Sequence, residues 1–420
     1  MSQQTVTIVG QGYVGLPLAQ AASRNGWKVY GLDVTESLVD SLNDGHSHVD
    51  DLDDSEIQEM LTSGYSATTD PSVIADSEVV VICVPTPLAD GGSPDLGAVK
   101  GASRTIGDNL VAGTTVILES TTYPGTTDDL VRPILELNSG LVAGEDFQLA
   151  YSPERVDPGS KKFGIKNTPK LMGGINDAST QAAVAFYRTF VDEPIAMKGM
   201  REAETAKLLE NTFRHVNIAL VNEMTKFCKE LNIDIWEVIR GASTKPFGFM
   251  KFTPGPGVGG HCIPIDPNYL SYEVRNQLGY PFRFVELAQE INNSMPKYVV
   301  DRVSEMLNEH RKPLNGSSVL LLGVTYKADI ADQRESPAIP VADLLQEKGA
   351  HIRFHDPLVD SWKLASGDLV REDDLDKAVE EADAIVVLQA HDAYDLDRIA
   401  STARLMLDTR GVAAAPAVRL

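Results

Sequence analysis

Short runs of apolar residues recur along the first 200 residues, and each run is followed by residues typical of turns. The runs are TVTIV (5–9), KVYGLD (28–33), EVVVICVPTP (78–87), TTVILEST (114–121) and FQLAYSPER (147–155). Stretches with helical spacing of their apolar residues lie between them. A continuous apolar run is typical of a strand buried on both faces, and parallel strands need helical crossovers. This alternation predicts a doubly wound parallel α/β sheet.

The pattern changes near residue 200. Residues 201–231 form one helical pattern without Gly or Pro, long enough to link two domains. Strand patterns then return as SSVLLLGVTYK (317–327), HIRFHDP (351–357), DAIVVLQAH (383–391) and RLMLDTRG (404–411). They predict a second, smaller α/β sheet. Its first strand is not followed by a Gly-x-Gly-x-x-Gly sequence, so a nucleotide bound there is held in another way.

The loop after the first strand predicts a dinucleotide site. It contains Gly10, Gly12, Tyr13, Val14 and Gly15. Its glycines allow a tight turn and close approach of a pyrophosphate, while the following helix supplies N–H donors. The second strand ends at Asp33, whose carboxylate can accept hydrogen bonds from a ribose 2′-hydroxyl and would repel a 2′-phosphate. NAD is therefore predicted over NADP, and the alternative interpretation is an ordinary βα turn.

Composition and charge narrow the classes of partner. A chain of 420 residues with 43% hydrophobic content predicts two or three domains with real cores. No segment has eighteen consecutive apolar residues, so we expect no membrane span and a cytoplasmic location. The three scattered cysteines form neither a disulfide framework nor a metal-binding pair, and no metal is predicted. The net charge of −23 argues against nucleic acid, and a small anionic ligand would need locally basic pockets.

The stretch GPGVGGHCIPIDP (255–267) predicts a shaped loop around Cys262, because its glycines and prolines do not suit a helix or a central strand. A thiolate that adds to an aldehyde creates a tetrahedral carbon with an oxyanion, from which hydride leaves readily. A cysteine beside a nicotinamide therefore indicates aldehyde oxidation through a thiohemiacetal and a thioester. The alternative is a small buried hydrophobic residue, the more common fate of a lone cysteine.

Lys207, Asn211 and His215 are spaced four residues apart on the long helical pattern, which places them along one face. Such a polar stripe is either part of an active site or a solvent-facing surface.

The sequence resembles the UDP-glucose/GDP-mannose dehydrogenase family of nucleotide-sugar 6-dehydrogenases. The matching motifs span nearly the whole chain and are GQGYVGLPLA, VPTP, ESTTYPGTT, YSPERVDPG, KLLENTFRHVNIALVNE, GPGVGGHCIPIDP and GVTYKADIADQRESPA. The resemblance implies two Rossmann-like doubly wound parallel sheets joined by a long central helix that builds a homodimer. It implies an NAD-binding domain at 1–200, a central helical dimerisation and catalytic domain at 201–310, and a UDP-sugar-binding domain at 311–420.

The resemblance also implies roles for individual residues. The catalytic set comprises Cys262 as nucleophile, Lys207 and Asn211 at the reacting oxygen, Asp266 in proton transfer, Thr121 positioning a water, and Glu154 in thioester hydrolysis. Besides the glycine loop and Asp33, the residues expected at the cofactor are Thr86, Thr121 and Arg334. Those expected at the substrate are Glu154, Arg155, Lys161, Lys207, Asn211, Arg214, His215, Lys251, Gly259 and Lys327.

Departures from the UDP-glucose branch bear on the sugar. Pro158, His261 and Ile265 stand where that branch tends to have glutamate, serine and lysine. Residues 243–272 look most like dehydrogenases that act on UDP-N-acetylglucosamine, with the galactosamine and mannosamine enzymes nearby. We therefore expect four-electron oxidation of the C6 hydroxyl of a UDP-N-acetylhexosamine, first of all UDP-N-acetylglucosamine, in polysaccharide biosynthesis.

Other functions stay open at this point. UDP-glucose 6-dehydrogenase is the alternative within the class. A two-electron dehydrogenase of the 3-hydroxyacid type shares the glycine-rich turn and the Lys–Asn helix but needs no thiol. A non-catalytic nucleotide-sensing module is disfavoured because every reactive position is occupied.

Overall fold

The computed structural model describes residues 3–49, 51–89, 93–156, 162–260 and 263–420. It divides into two compact units. The first contains Met1–Glu210 and Asn268–Tyr280, and the second contains Asn211–Pro267 and Pro281–Leu420.

Strands and helices alternate along both units, as the sequence predicts. The strands are β1 (Thr5–Val9), β2 (Lys28–Leu32), β3 (Tyr65–Thr68), β4 (Val79–Ile82), β5 (Thr115–Leu118), β6 (Gln148–Tyr151), β7 (Lys170–Gly174), β8 (Pro194–Ala196), β9 (Ser318–Leu322), β10 (His351–His355), β11 (Ser361–Leu364), β12 (Gly367–Val370), β13 (Ala384–Val387), β14 (Met406–Asp408) and β15 (Val418–Arg419). The α-helices are α1 (Gly15–Arg24), α2 (Glu36–Asn43), α3 (Asp54–Thr62), α4 (Gly97–Asn109), α5 (Arg132–Ser139), α6 (Asp177–Tyr187), α7 (Met200–Glu230), α8 (Ile235–Ala242), α9 (Asp266–Leu278), α10 (Arg283–Asn293), α11 (Met295–Glu309), α12 (Ala338–Glu347), α13 (Leu375–Glu381) and α14 (Leu396–Thr402).

The sheet of the first unit has eight strands in the order β3-β2-β1-β4-β5-β6-β7-β8. Its strands pair in parallel except at one place, where β7 runs antiparallel to β6. Successive residues of β4 enter different cores, with Val79 and Val81 in one and Val80 and Ile82 in the other. Burial on both faces explains why these strands are continuous apolar runs.

The second unit has a five-stranded parallel sheet in the order β10-β9-β13-β14-β15. The strand order reverses next to its first strand, β9, which is the arrangement of a doubly wound Rossmann-like sheet. The hairpin of β11 and β12 stands apart from this sheet. The predicted fold class, two Rossmann-like sheets joined by a long helix, is confirmed.

The long helix predicted at 201–231 is α7, Met200–Glu230. The division between the two compact units falls inside it, between Glu210 and Asn211. Among the described residues, no helix combines the length and the apolar character that a membrane crossing requires.

Candidate active site

The glycine-rich turn between β1 and α1 has the geometry of a nucleotide-binding loop. Gly10 has a positive φ of 92°, and its N–H donates to the Leu32 carbonyl at the end of β2. A side chain at Gly15 would overlap the Gly10 carbonyl oxygen, so this turn closes only without a Cβ. Gly12 differs, because no described atom lies within 4 Å of the position its Cβ would take. Space of this kind above a helix N-terminus suits a pyrophosphate.

Asp33 follows β2 at the same edge of the sheet. Its Oδ2 accepts from the Gln11 N–H at 2.9 Å and its Oδ1 from the Thr35 N–H at 3.0 Å. Two backbone donors thus fix the carboxylate beside the glycine loop, where the sequence predicts a ribose. Tyr13 and Val14 lie in the same loop, Tyr13 exposed and Val14 partly buried.

Thr86 and Thr121 lie together beyond the carboxyl ends of β4 and β5. The Thr86 hydroxyl donates to the Thr121 carbonyl at 2.8 Å, and the Thr86 carbonyl accepts from the Tyr269 hydroxyl. The loop that begins at Thr121 is also tied to α7. Its Gly125 N–H donates to the buried Glu204 carboxylate at 2.6 Å, and Thr127 donates to the same group through its N–H and its hydroxyl.

Glu154 lies beyond the carboxyl end of β6. Its Oε1 accepts from the N–H groups of Arg155 and Val156 at 2.8 and 2.5 Å, and its Oε2 lies 3.5 Å from the Lys170 ammonium. Burial by itself would raise the pKa of Glu154, but Lys170, hydrogen bonds with Glu119 and the Val156 N–H, and the charge of Lys207 bring that pKa below its ordinary value. A carboxylate held anionic at this position can accept a proton.

Arg155 is partly buried and already engaged. It forms an ion pair with Glu210 at 2.7 Å and donates to the Pro169 carbonyl. A role in substrate binding stays a prediction for this residue.

The polar stripe on α7 is buried, so the solvent-facing interpretation is wrong. Lys207, Asn211 and His215 are at most 8% exposed. Asn211 donates from Nδ2 to the Asp266 carboxylate at 2.5 Å, which links α7 to the first residue of α9. Two of the predicted catalytic residues are therefore in direct contact.

His215 has a different environment from Asn211. Its ring lies 3.4 Å from the Asn292 amide, and burial lowers its pKa to about 4, so the imidazole is neutral near pH 7. Its Nε2 has no hydrogen-bond partner in the described part of the chain. A contact of His215 with substrate stays a prediction, as it does for the exposed residues Arg214 and Lys251.

The glycines before the predicted nucleophile serve close backbone packing. The Gly260 N–H donates to the Arg334 carbonyl at 3.1 Å. A Cβ on Gly259 would come within 2.7 Å of the Glu335 carbonyl oxygen, and one on Gly260 within 2.7 Å of the Tyr326 ring. The loop that leads towards Cys262 therefore lies against the segment that carries Lys327 and Arg334. Cys262 itself, with His261, Pro158 and Lys161, lies outside the described residues.

Lys327 is partly buried, and Arg334 is exposed beside the Asp332 carboxylate at 2.6 Å. The structure adds Arg410, which the sequence interpretation missed. It follows β14, donates from Nε to the Leu388 carbonyl at 2.7 Å, and its Nη1 lies 2.9 Å from the position of a Cβ on Gly255. Burial lowers its pKa to about 10, so it remains a cation near pH 7. An arginine at the carboxyl end of a predicted strand was the signal that could have identified it.

Three matches to domain families cover most of the chain. The NAD binding domain of the UDP-glucose/GDP-mannose dehydrogenase family matches residues 4–191, its central domain residues 201–294, and its UDP binding domain residues 320–415. The chain belongs to this family of NAD-dependent nucleotide-sugar dehydrogenases.

Individual relatives agree with this assignment. The UDP-N-acetyl-D-mannosamine dehydrogenase of Pyrococcus horikoshii is 34% identical over 391 residues, which cover 93% of this chain and 90% of the relative. The NDP-N-acetyl-D-galactosaminuronic acid dehydrogenase of Ralstonia nicotianae is 33% identical over 428 residues, covering 97% and 96%. A solved structure of UDP-D-ManNAc dehydrogenase from Pyrococcus horikoshii superposes with a TM-score of 0.90 at 32% identity, covering 99% and 97% of the two chains.

Proposed function

We propose that this protein oxidises the C6 hydroxyl of a UDP-N-acetylhexosamine to the uronate in two hydride transfers. Family membership and the names of the relatives support this class of substrate. The observation that carries the proposal is the buried Lys207–Asn211 stripe with Asp266 bonded to Asn211, because burial of a lysine, an amide and a carboxylate suits chemistry on an oxygen atom.

The proposed roles are those that family membership implies for these residues. The glycine loop and Asp33 would hold NAD, which would supply the hydride acceptor for C6. Lys207 and Asn211 donate hydrogen bonds to the oxygen on C6 as negative charge develops there, and Asp266 holds the Asn211 amide in place. The Cys262 thiolate adds to the aldehyde carbon, and loss of a second hydride, for which a second NAD would be the acceptor, leaves a thioester. Glu154 then accepts a proton from the water that releases the uronate.

The identity of the sugar is the finer part of the proposal. The loop sequences favour UDP-N-acetylglucosamine, whereas the Pyrococcus relative is named for UDP-N-acetyl-D-mannosamine. These sugars differ only in configuration at C2. We infer an N-acetylated sugar as the shared feature, with the glucosamine form first and the mannosamine and galactosamine forms as the alternatives.

One experiment tests activity and specificity together. Purified protein is given NAD with UDP-N-acetylmannosamine, UDP-N-acetylglucosamine, UDP-N-acetylgalactosamine or UDP-glucose, and NADH and product mass are measured. We expect two NADH per uronate and the highest kcat/KM for an N-acetylated sugar. A higher kcat/KM for UDP-glucose would contradict the substrate class. One NADH per product would favour a two-electron dehydrogenase, which Cys262→Ala should leave active.

We also infer that the protein is a homodimer built on α7. Five large apolar side chains are exposed along this helix and just after its last residue, at spacings of four and seven residues, and they are Leu209, Phe213, Leu220, Phe227 and Leu231. We call this set the α7 stripe. Residues at these spacings form one seam along a helix, and a seam of exposed apolar side chains is typical of an interface. A second copy of the chain is the partner that family membership favours.

A further inference from the structure

Glu154 belongs to a buried group of polar and charged side chains in the first unit. The other members of this group have no assigned role. The group consists of Glu119, Glu154, Lys170 and Tyr187, which we call the Glu119 cluster. Glu119 follows β5, Glu154 follows β6, Lys170 begins β7 and Tyr187 ends α6. Glu119 and Tyr187 are no more than 1% exposed.

Lys170 connects the two carboxylates. Its ammonium donates to Glu119 Oε1, lies 3.5 Å from Glu154 Oε2, and donates to the Pro153 carbonyl at 3.3 Å. Its three donors thus have three acceptors. The second oxygen of Glu119 accepts from the Tyr187 hydroxyl at 2.6 Å, so the Glu119 carboxyl is held from both sides.

The direction of β7 explains why a lysine reaches this place. The parallel strands leave the sheet at the edge where Glu119 and Glu154 lie. Because β7 is antiparallel to β6, with Tyr151 opposite Gly173, its first residues lie at that same edge. Lys170, at the start of β7, therefore lies beside Glu119 and Glu154, which follow the ends of β5 and β6.

The cluster places two carboxyl groups at one ammonium. The other titratable groups facing them are Cys83 after β4, Tyr187 on α6 and Lys207 on α7. Burial raises the pKa of Glu119 to about 7, with Glu154 adding to the rise and Lys170 opposing it. A hydrogen bond with Glu119 in turn lowers the pKa of Glu154. The protonation of one carboxyl thus affects the other.

We propose that Glu119, acting through Lys170, is a positioning residue that sets the orientation and basicity of Glu154 during thioester hydrolysis. This inference rests on the proposed function. Lys170 holds Oε2 of Glu154 while two backbone N–H groups hold Oε1, so the carboxylate cannot rotate freely. Glu119 holds the Lys170 ammonium beside Glu154, and its hydrogen bond with Glu154 lowers the pKa of Glu154 further, so both effects keep Glu154 anionic.

Hydrolysis of the thioester is the step that depends on this arrangement. The water oxygen bonds to the thioester carbon, and one water proton passes to Glu154. The C–S bond then breaks, and sulfur leaves as the Cys262 thiolate. The carboxylic acid formed on the sugar loses its proton near neutral pH.

The test compares Glu119→Gln, Lys170→Met and Lys170→Arg by rapid mixing with the best UDP-sugar. In the Gln and Met variants we expect the initial burst of two NADH per site to persist, while steady-state kcat falls roughly 10- to 100-fold. The thioester should then accumulate as an acyl adduct on the denatured protein.

Lys170→Arg keeps the cation and should recover most of kcat. Glu372→Gln, which removes an ion pair with Arg353 in the second unit, is the matched control and should leave the burst and kcat unchanged.

The pH profile separates positioning from support of the fold. With Glu119→Gln the acidic limb of kcat should move to higher pH, because Glu154 loses the hydrogen bond with Glu119 that lowers its pKa, and Lys170 loses the carboxyl that holds it beside Glu154. With Lys170→Met it should move to higher pH, because two carboxylates are left without their cation. If Lys170→Met does not fold, the pH profile of kcat and the NADH burst of Glu119→Gln are sufficient to test the inference.

Three results would overturn the inference or its premise. A burst that falls in proportion to kcat, without accumulated adduct, would show a structural role only. Folded variants whose acidic limb of kcat stays at the wild-type pH would also overturn the inference. A wild-type protein that forms one NADH and no adduct would instead refute the proposed function.

Discussion

Asp33 shows how a single carboxylate can select a cofactor. Both of its oxygens accept backbone N–H groups, from Gln11 and Thr35, so its charge has a fixed position beside the glycine loop. A fixed carboxylate can bond a ribose hydroxyl without first losing side-chain entropy. The same charge repels a 2′-phosphate.

We expect Asp33→Asn to lower kcat/KM for NAD roughly 10- to 100-fold, because a hydrogen bond to a charged group contributes about 1.5–3 kcal/mol. The ratio of NADP to NAD use should rise. Steady-state kinetics with both cofactors measure the change. Asp70→Asn is the matched control, because Asp70 caps an exposed turn through Ser72 and should not alter kcat/KM for NAD. An unchanged kcat/KM for NAD in Asp33→Asn would contradict the assignment.

Glu204 makes stability depend on pH. Burial raises its pKa to about 7, although hydrogen bonds from Gly125 and Thr127 oppose the rise. The folded state therefore binds the proton more tightly than the unfolded state does. This contribution is complete below about pH 4.5 and is lost as the pH rises to about 7, and it amounts to roughly 3 kcal/mol.

We expect Glu204→Gln to reduce the change in Tm between pH 5 and pH 8, because an amide does not titrate. Its Tm should be lower than that of the wild type at pH 5, since one carboxyl accepts three donors that an amide cannot all satisfy. Thermal unfolding at both pH values measures the effect. An equal pH dependence in both proteins would show that Glu204 titrates normally.

Elements differ in how clearly the sequence indicates them. The runs that became β1, β4 and β5 were predicted because burial on both faces demands continuous apolar residues. β7, KLMGG, escaped prediction because its glycines are unusual in a strand. The structure explains them, since a side chain on Gly173 would overlap the Gly199 carbonyl and one on Gly174 the Thr180 N–H.

The residues of the candidate site also differ in how clearly the sequence indicates them. Asp33, Glu154 and the Lys207–Asn211 pair stand in recognisable motifs or at the ends of predicted strands. Glu119 also ends a predicted strand, but its importance depends on Lys170. A lysine at the start of an unpredicted strand with reversed direction has no local signal, because only the pairing of β6 with β7 brings it to the site.

At the level of the β1–α1 turn, two glycine substitutions should separate folding from binding. We expect Gly15→Ala to lower Tm, because its methyl group would overlap the Gly10 carbonyl oxygen. Gly12→Ala should keep the wild-type Tm but weaken NAD binding, because the methyl group fills space that we assign to the pyrophosphate. Calorimetry and NAD titration distinguish the two effects. Equal NAD affinity in Gly12→Ala and the wild type would place the pyrophosphate elsewhere.

The division between the two compact units falls inside α7, at a place that no feature of the sequence marks. The predicted domains meet at residue 200, where α7 begins, whereas the compact units divide at Glu210 and the first unit also takes up Asn268–Tyr280. Helical periodicity is the same on both sides of that division, so only tertiary contacts reveal it. The predicted domain limits therefore stay a prediction.

Assembly is tested at this scale. We expect Leu220→Glu with Phe227→Glu to convert a dimer into a 45.5 kDa monomer, because two carboxylates would be buried in the α7 stripe. Light scattering measures the mass. Leu137→Glu is the control, since Leu137 on α5 is 84% exposed and lies outside the stripe. A wild-type monomer, or a dimer that survives the double substitution, would contradict this interface.

The reversed direction of β7 has a practical consequence for engineering. A designer who exchanges only the loop after β6 with that of another family member would transfer Glu154 without the lysine that holds it. Lys170 lies outside that loop, because it is the first residue of β7. Chimaeras should therefore be cut after Gly174, so that both strands come from one parent and the donor–acceptor set at this edge is inherited complete.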